Sequence, residues 1–201
     1  ADYIAIKNRD QTDEWKVLDR IRGATKELNW DASGAESTDT DGLDDFGVTD
    51  GFGLGSGAGG YNDDTEKFVA YGWAAGGTTG STNDAGSLDI TLSTNTTAGF
   101  SYGKSATGPS SGGFTFGHGL GAVPDFAIMK TTSSQGWAVW HSHLANQTSR
   151  YLSIHDTAAQ ATSTVVWNNT APTSTLFSSN ADWWGASKTY VWYGWTAIEG
   201  Y

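Results

Sequence analysis

The chain has no cysteine among its 201 residues. Disulfides and thiolate metal sites are thereby excluded, and stability has to come from packing and hydrogen bonds. The same absence argues against a secreted disulfide scaffold and suits assembly in a reducing cytosol. Basic residues are scarce: 11 Lys and Arg face 22 Asp and Glu, a formal net charge of −11. A phosphate backbone is repelled by such a chain, so no nucleic-acid partner is expected. No apolar run reaches membrane-spanning length and the first residues do not read as a signal peptide, so no membrane insertion is expected. With Ala at position 1 of an apparent strand, the chain is expected to be a processed product or a fragment. Proline and methionine are nearly missing, at three and one.

In their place stand 27 Gly and 10 Trp. Abundant Gly, Ser, Thr and Asn among β-branched and aromatic residues is the composition of short strands joined by tight turns. Aromatics at 13% are too many to leave in water, so the chain is not of a disordered class. Its length suits one large all-β domain or two of about a hundred residues each.

An internal repeat organises the sequence. Asp2-Tyr3-Ile4-Ala5-Ile6-Lys7 matches Asp125-Phe126-Ala127-Ile128-Met129-Lys130, and Trp15 to Asp19 matches Trp137 to His141. Lys26-Glu27-Leu28 matches Arg150-Tyr151-Leu152, Gly51 to Gly55 sits opposite Ser174 to Ser178, and Tyr71-Gly72-Trp73 recurs as Tyr193-Gly194-Trp195. Five blocks keep one order at nearly one offset. Each alternates as a half-buried strand does, with Val69, Tyr71 and Trp73 on one face and Val191, Tyr193 and Trp195 likewise. Gly72 and Gly194 then mark a bulge or a close approach. The best helical stretch, Arg20 to Leu28, is weak.

The expected fold is all-β, with tandem antiparallel β-sandwich units of jelly-roll-like type. The first unit covers 1–77, a connector with one strand covers 78–97, and the second unit covers 98–201. Thr78 to Gly86 reads as flexible, Ser87 to Thr94 as a strand, and Phe100 to Tyr102 and Phe114 to Phe116 as two more. The first unit lacks the counterparts of these strands. Either it was cut from a longer array or another chain supplies them, because an incomplete sheet exposes unpaired backbone.

Long phrases carry a resemblance: "IKNRDQTDEW" (6–15), "RGATKELNWDASGAESTDTDGL" (22–43), "GHGLGAVPDFAIMK" (117–130), "WNNTAPTSTLFS" (167–178) and the closing "WTAIEGY". They resemble a repeat domain of structural proteins in tailed bacteriophages, especially marine phages of cyanobacteria and abundant ocean bacteria. The resemblance implies a non-catalytic virion-surface or tail-fibre module that extends the particle and contributes to host attachment. It implies a homo-oligomer, with a trimer as the usual fibre state, other virion proteins as partners, and a virion-surface location after assembly in the host cytoplasm. It carries over no catalytic residue. Tyr-Gly-Trp departs from related repeats.

Chemistry-bearing groups are few. Asp39, Asp41, Asp44 and Asp45 surround a Gly-containing turn, the hard-oxygen type of set that suits Ca²⁺; the counter-reading is a solvated acidic loop, since residues 162–175 carry no carboxylate. Otherwise no cofactor is expected. His141 and His143, with His118 or His155, have metal-site spacing, but the first copy has Asp19-Arg20-Ile21 there. Carboxylate pairs for a polysaccharide depolymerase can be drawn from Glu36, Asp63, Glu66 and Glu199, with nothing in the sequence to bring them together. "GLGSGAGG" (53–60) lacks the Lys-Ser/Thr of a phosphate loop.

Tryptophans at repeated positions (15, 73, 137, 195) read as packing residues. Among the rest, the adjacent Trp183 and Trp184 would face opposite ways if extended, leaving one exposed. With Trp167, Asn168, Asn180 and Asp182 they form the candidate contact surface for a host-cell glycan or a neighbouring subunit.

Overall fold

The computed structural model describes residues 1–47, 51–56, 59–77 and 79–200. Gly57 and Ala58 of the glycine-rich phrase, Thr78 at the head of the expected connector, and the final Tyr201 lie outside the described residues. The first half runs β1 (Tyr3–Asn8), β2 (Lys16–Asp19), β3 (Lys26–Asn29), β4 (Ser37–Thr38), β5 (Leu43–Asp45), β6 (Gly53–Leu54) and β7 (Phe68–Trp73). Five of these form an antiparallel sheet in the order β4-β3-β2-β1-β7. The second half adds β8 (Ser81–Asn83), β9 (Ile90–Asn95), β10 (Phe100–Thr107), β11 (Gly113–Gly117), β12 (Phe126–Thr131) and β13 (Ala138–His141). After them come β14 (Arg150–Tyr151), β15 (Ala161–Thr162), β16 (Leu176–Asn180), the short helix α1 (Ala181–Trp184) and β17 (Thr189–Trp195). Its main sheet is ordered β13-β12-β17-β10-β9-β8 and is antiparallel throughout. The all-β antiparallel sandwich class is the one the sequence led us to expect.

Matching blocks occupy matching positions. Tyr3 and Ala5 of β1 face Trp73 and Tyr71 of β7, while Phe126 and Ile128 of β12 face Trp195 and Tyr193 of β17. Asp2 Oδ2 accepts the N–H of Ala75 at 2.7 Å, and Asp125 Oδ2 accepts that of Ala197 at 2.7 Å. Each carboxylate pins the chain leaving the closing strand. Lys130 Nζ donates to the carbonyls of Ser133 (3.1 Å) and Gln135 (2.6 Å); Lys7 Nζ donates to those of Gln11 (3.4 Å) and Asp13. One lysine thus ties down the loop after the first strand in both halves.

The two main sheets meet face to face. Alternation puts Tyr3, Val17 and Leu28 on the inner face of the first, opposite Phe100, Tyr102, Ile128, Val139 and Tyr193 of the second, all buried. The rings of Tyr3 and Tyr193 lie 4.5 Å apart between centroids. Each half therefore lends one sheet to a shared inner layer and covers its own outer face. Ile4, Ile6 and Leu18 lie under Leu43, Phe46 and Tyr61 in the first half. In the second, Met129, Trp140 and Trp192 lie under Phe116, Phe177 and Trp167. Gly194 is the close approach its glycine suggested: a Cβ there would sit 2.3 Å from Cζ2 of Trp192.

Three local expectations are corrected. Arg20 to Leu28 is a turn followed by β3, because Asp19 Oδ1 accepts the N–H of Arg22 at 2.8 Å and Gly23 takes φ +102, a conformation that ends helical propagation. The flexible reading of Thr78 to Gly86 missed β8, whose polar Ser81-Thr82-Asn83 pairs with Leu92, Thr91 and Ile90; an edge strand with no apolar face gives no alternation to read. Trp183 and Trp184 are not extended. Asn180 caps α1 by accepting the N–H of Asp182 at 2.8 Å, and Gly185 at φ +89 stops it.

Candidate functional site

At one end of the sandwich the inner faces part and leave an aromatic cleft of about 560 Å³. Alternation explains its walls. Trp15 lies two residues before Val17, and Trp30 two residues after Leu28, so both indoles share the inner face of the first sheet. Trp73 and Trp195 close the two repeats from opposite sheets, their ring centroids 5.5 Å apart. Trp15 sits 5.4 Å from Trp30 and stacks at 5.9 Å on Tyr71, which is 50% exposed. Phe126, Ile128 and Ile154 complete the apolar lining.

One charged side chain lines this cleft, Asp31. Its Oδ1 accepts the backbone N–H of Trp15 at 2.9 Å, which orients the carboxylate; Oδ2 has no hydrogen-bond partner among the described residues. Half-buried indoles with one oriented acceptor form the usual make-up of a small-ligand site, apolar walls with few polar groups to fix orientation. Such a site grips flat C–H surfaces and reads one donor.

Behind the cleft, a buried ionic network joins the halves. Arg22 Nε donates to Asp19 Oδ2 at 2.5 Å, and Tyr193 of the opposite sheet donates to the same oxygen at 2.7 Å. Burial works to lower the Arg22 pKa, yet Asp19 beside it holds it above the ordinary value. Burial pushes the Tyr193 phenol well up. Lys130 is also fully buried, and burial, aided by the nearby Arg22 charge, pulls it down to about 8. The Tyr193–Asp19 bond ties the second sheet to the first.

The residues singled out in the sequence lie elsewhere. Trp167, Asn168, Asn180, Asp182, Trp183 and Trp184 do gather in one corner, but several of their polar atoms are used within it. Asn180 Nδ2 donates to Asn168 Oδ1 at 3.1 Å, and Asp182 Oδ1 accepts from Gly112 N–H at 3.1 Å. Trp167 and Trp184 are 1% and 2% exposed, and their indoles donate to Arg150 O and Ser179 Oγ. Neither offers a face to a ligand. Trp183 is half-buried against Tyr151 at 4.9 Å. The glycan surface drawn on Trp167 and Trp184 is therefore corrected: they are core residues of the second half.

The acidic turn does not converge either. Among the described residues, the one group of three ligands within 4.8 Å of one another is Asp13, Asp63 and Glu66, not Asp39, Asp41, Asp44 or Asp45. Asp39 and Asp45 instead accept the backbone N–H groups of Asp41 and Gly47. His118 is buried, with Nδ1 accepting from Leu120 N–H (3.3 Å) and Nε2 donating to Thr173 O (3.1 Å), while burial lowers its pKa. His141 and His143 are neighbours at 5.5 Å. Glu36 pairs with Arg22 at 3.3 Å, and Glu199 is exposed.

Trp15, Trp73 and Trp195 were visible as repeated residues but read as packing. Asp31 was missed altogether. Its signal was faint: a carboxylate directly after an inner-face tryptophan at a strand end.

The model of one protein family, described as "Domain of unknown function (DUF7483)", matches residues 1–201. No curated protein and no solved structure matches the chain.

Proposed function

The chain belongs to the DUF7483 family, a family of unknown function; on the resemblance of its long phrases to phage repeat domains, we propose that it is a non-catalytic surface module of a tailed-phage particle that contributes to host attachment. Its aromatic cleft is the attachment site, and the ligand is a pyranose ring of a host-surface polysaccharide. The observation that carries this reading is the cleft between Trp15, Trp30, Trp73 and Trp195, with Asp31 at its wall. An indole face takes the C–H side of a sugar ring, and Asp31 Oδ2 accepts one hydroxyl; the remaining hydroxyls point out of the open mouth and keep their water. Such contacts are individually weak. Oligomeric display, the assembly we propose for the particle, multiplies them through avidity.

Titration with a panel of host polysaccharides while following tryptophan emission tests the cleft. Quenching is expected, to be abolished in Trp30→Ala and Asp31→Ala and kept in Trp183→Ala. Quenching that survives in Trp30→Ala moves the site elsewhere, and silence across the panel ends the glycan reading. Antibody labelling of intact particles checks the location: unlabelled particles would remove the virion role.

A further inference from the structure

A sheet edge carries a row of unpaired N–H and C=O groups, and natural proteins blunt long edges with lysine, proline, bulges or covering segments. The four edges of the two main sheets are unequal. β4 has two residues and β8 three, and β13 is bridged at Val139 to Leu152. β7 is six residues long, Phe-Val-Ala-Tyr-Gly-Trp, with no charge and no proline, and among the described residues it pairs with β1 alone. The N–H of Arg9 donates to Lys67 O at 2.7 Å, which sets the hydrogen-bonding phase of this ladder. A period of two then turns the backbone groups of Val69, Tyr71 and Trp73 toward β1 and those of Phe68, Ala70 and Gly72 outward. Residues 70–72 are exposed.

The protein contains its own template for the absent neighbour. β17 follows the plan of β7 but is an interior strand, because β10 runs antiparallel along its other side. There Phe100 faces Trp195, Ser101 faces Gly194, Tyr102 faces Tyr193, Gly103 faces Trp192 and Lys104 faces Val191. Carried across by the shared register, a strand of this kind on β7 sets one aromatic against Trp73 and another against Tyr71. Small residues then lie opposite Gly72 and Ala70, and a lysine opposite Val69.

One feature of the β7 side suits such a strand. A hollow of about 400 Å³, lined by Ala98, Trp195, Ile198 and Trp73 and by no residue of β1 to β4, opens beside Trp73 where the first ring would lie.

We propose that the β7 edge is a strand-acceptor site for an extended segment of β10 character, aromatic-small-aromatic-small-lysine, supplied by a partner polypeptide and added antiparallel. Backbone hydrogen bonds give the affinity, and the hollow beside Trp73 gives the choice of sequence. The hollow shares Trp73 and Trp195 with the aromatic cleft, but strand addition is read on the backbone of the β7 edge and does not depend on what the cleft binds.

The test is to add a synthetic peptide with the sequence of residues 100–107 to the whole chain and follow amide exchange by NMR. Exchange at Phe68, Ala70 and Gly72 is expected to slow about tenfold or more, with Val69 and Tyr71 little changed because they are already bonded. A peptide with proline at the positions of Ser101 and Gly103 lacks the two donors and is expected to give no protection. Ala70→Lys, on an outward-facing position, is expected to keep the fold and weaken peptide protection about tenfold. Three results overturn the proposal. One is no protection at millimolar peptide. A second is protection of all three amides in the isolated monomer. The third is protection that rises with protein concentration in the absence of peptide, which would make a second copy the occupant.

Discussion

β7 and β17 have one plan and two fates. Both close a repeat and pair with its first strand in the same register, and both are followed by a backbone N–H held by the repeat's leading aspartate. β17 is flanked on both sides and roofed, so Tyr193 is fully buried against Asp19, and Trp192 is buried in the outer layer. β7 is flanked on one side, so Tyr71 is 50% exposed and Ala70, the counterpart of Trp192, faces solvent. The same divergence separates Trp137, 1% exposed with its indole donating to Asn29 O at 2.6 Å, from Trp15, half-buried at the cleft. An identical backbone plan is thus buried in one half and left partly exposed in the other; neighbours make the difference.

The sharpest way to break the comparison is Arg22→Ala. It strands the buried Asp19 carboxylate, and unfolding in urea is expected to show a loss of about 3–5 kcal/mol. Leu144→Ala, at the equivalent position of the second half, should cost under about 1 kcal/mol. Equal losses would mean that the network does not hold the halves together.

Next in size is a pH effect. Lys130 is held down to about 8, so between that pH and the ordinary lysine range near 10.4 the unfolded chain keeps a proton that the folded one has released. Stability is therefore expected to rise from pH 8 to 10, by on the order of 2 kcal/mol. Above that range it falls, because Tyr3 and Tyr193 are raised by burial and stay protonated in the fold while the unfolded tyrosines ionise. Thermal melts across this range check it, and Lys130→Met should flatten the rise.

The smallest effect contrasts the paired tyrosines. Tyr193→Phe removes one bond to a buried carboxylate and is expected to cost about 1–2 kcal/mol, with Tyr71→Phe near zero, by the same denaturation. A measurable loss at Tyr71 would show that the exposed half is not the looser one.

Much of the fold was legible because β-alternation and the repeat leave marks in the residues themselves. Asp2 with Asp125, Lys7 with Lys130, and the paired Tyr-Gly-Trp triplets all mark equivalent positions. β8 was not legible, since Ser81-Thr82-Asn83 has no apolar face. Nor was α1, where a capping Asn180 and a stopping Gly185 outweigh an aromatic pair that reads as extended. The candidate site was legible in part. Its tryptophans stood out, yet a half-buried indole in a cleft and a buried one in a core have the same sequence signature, as Trp15 and Trp137 show.

The order of residues by itself determined the strand class, the doubled plan and its register, because these follow from period-two burial and from local pairs that recur at a constant offset. Which face of which repeat meets another layer was decided only in three dimensions. Trp30 and Asp31 join Trp195 from 165 and 164 residues away in the chain because two sheets stack and then diverge, and burial depends on that distant neighbour, which no local pattern encodes.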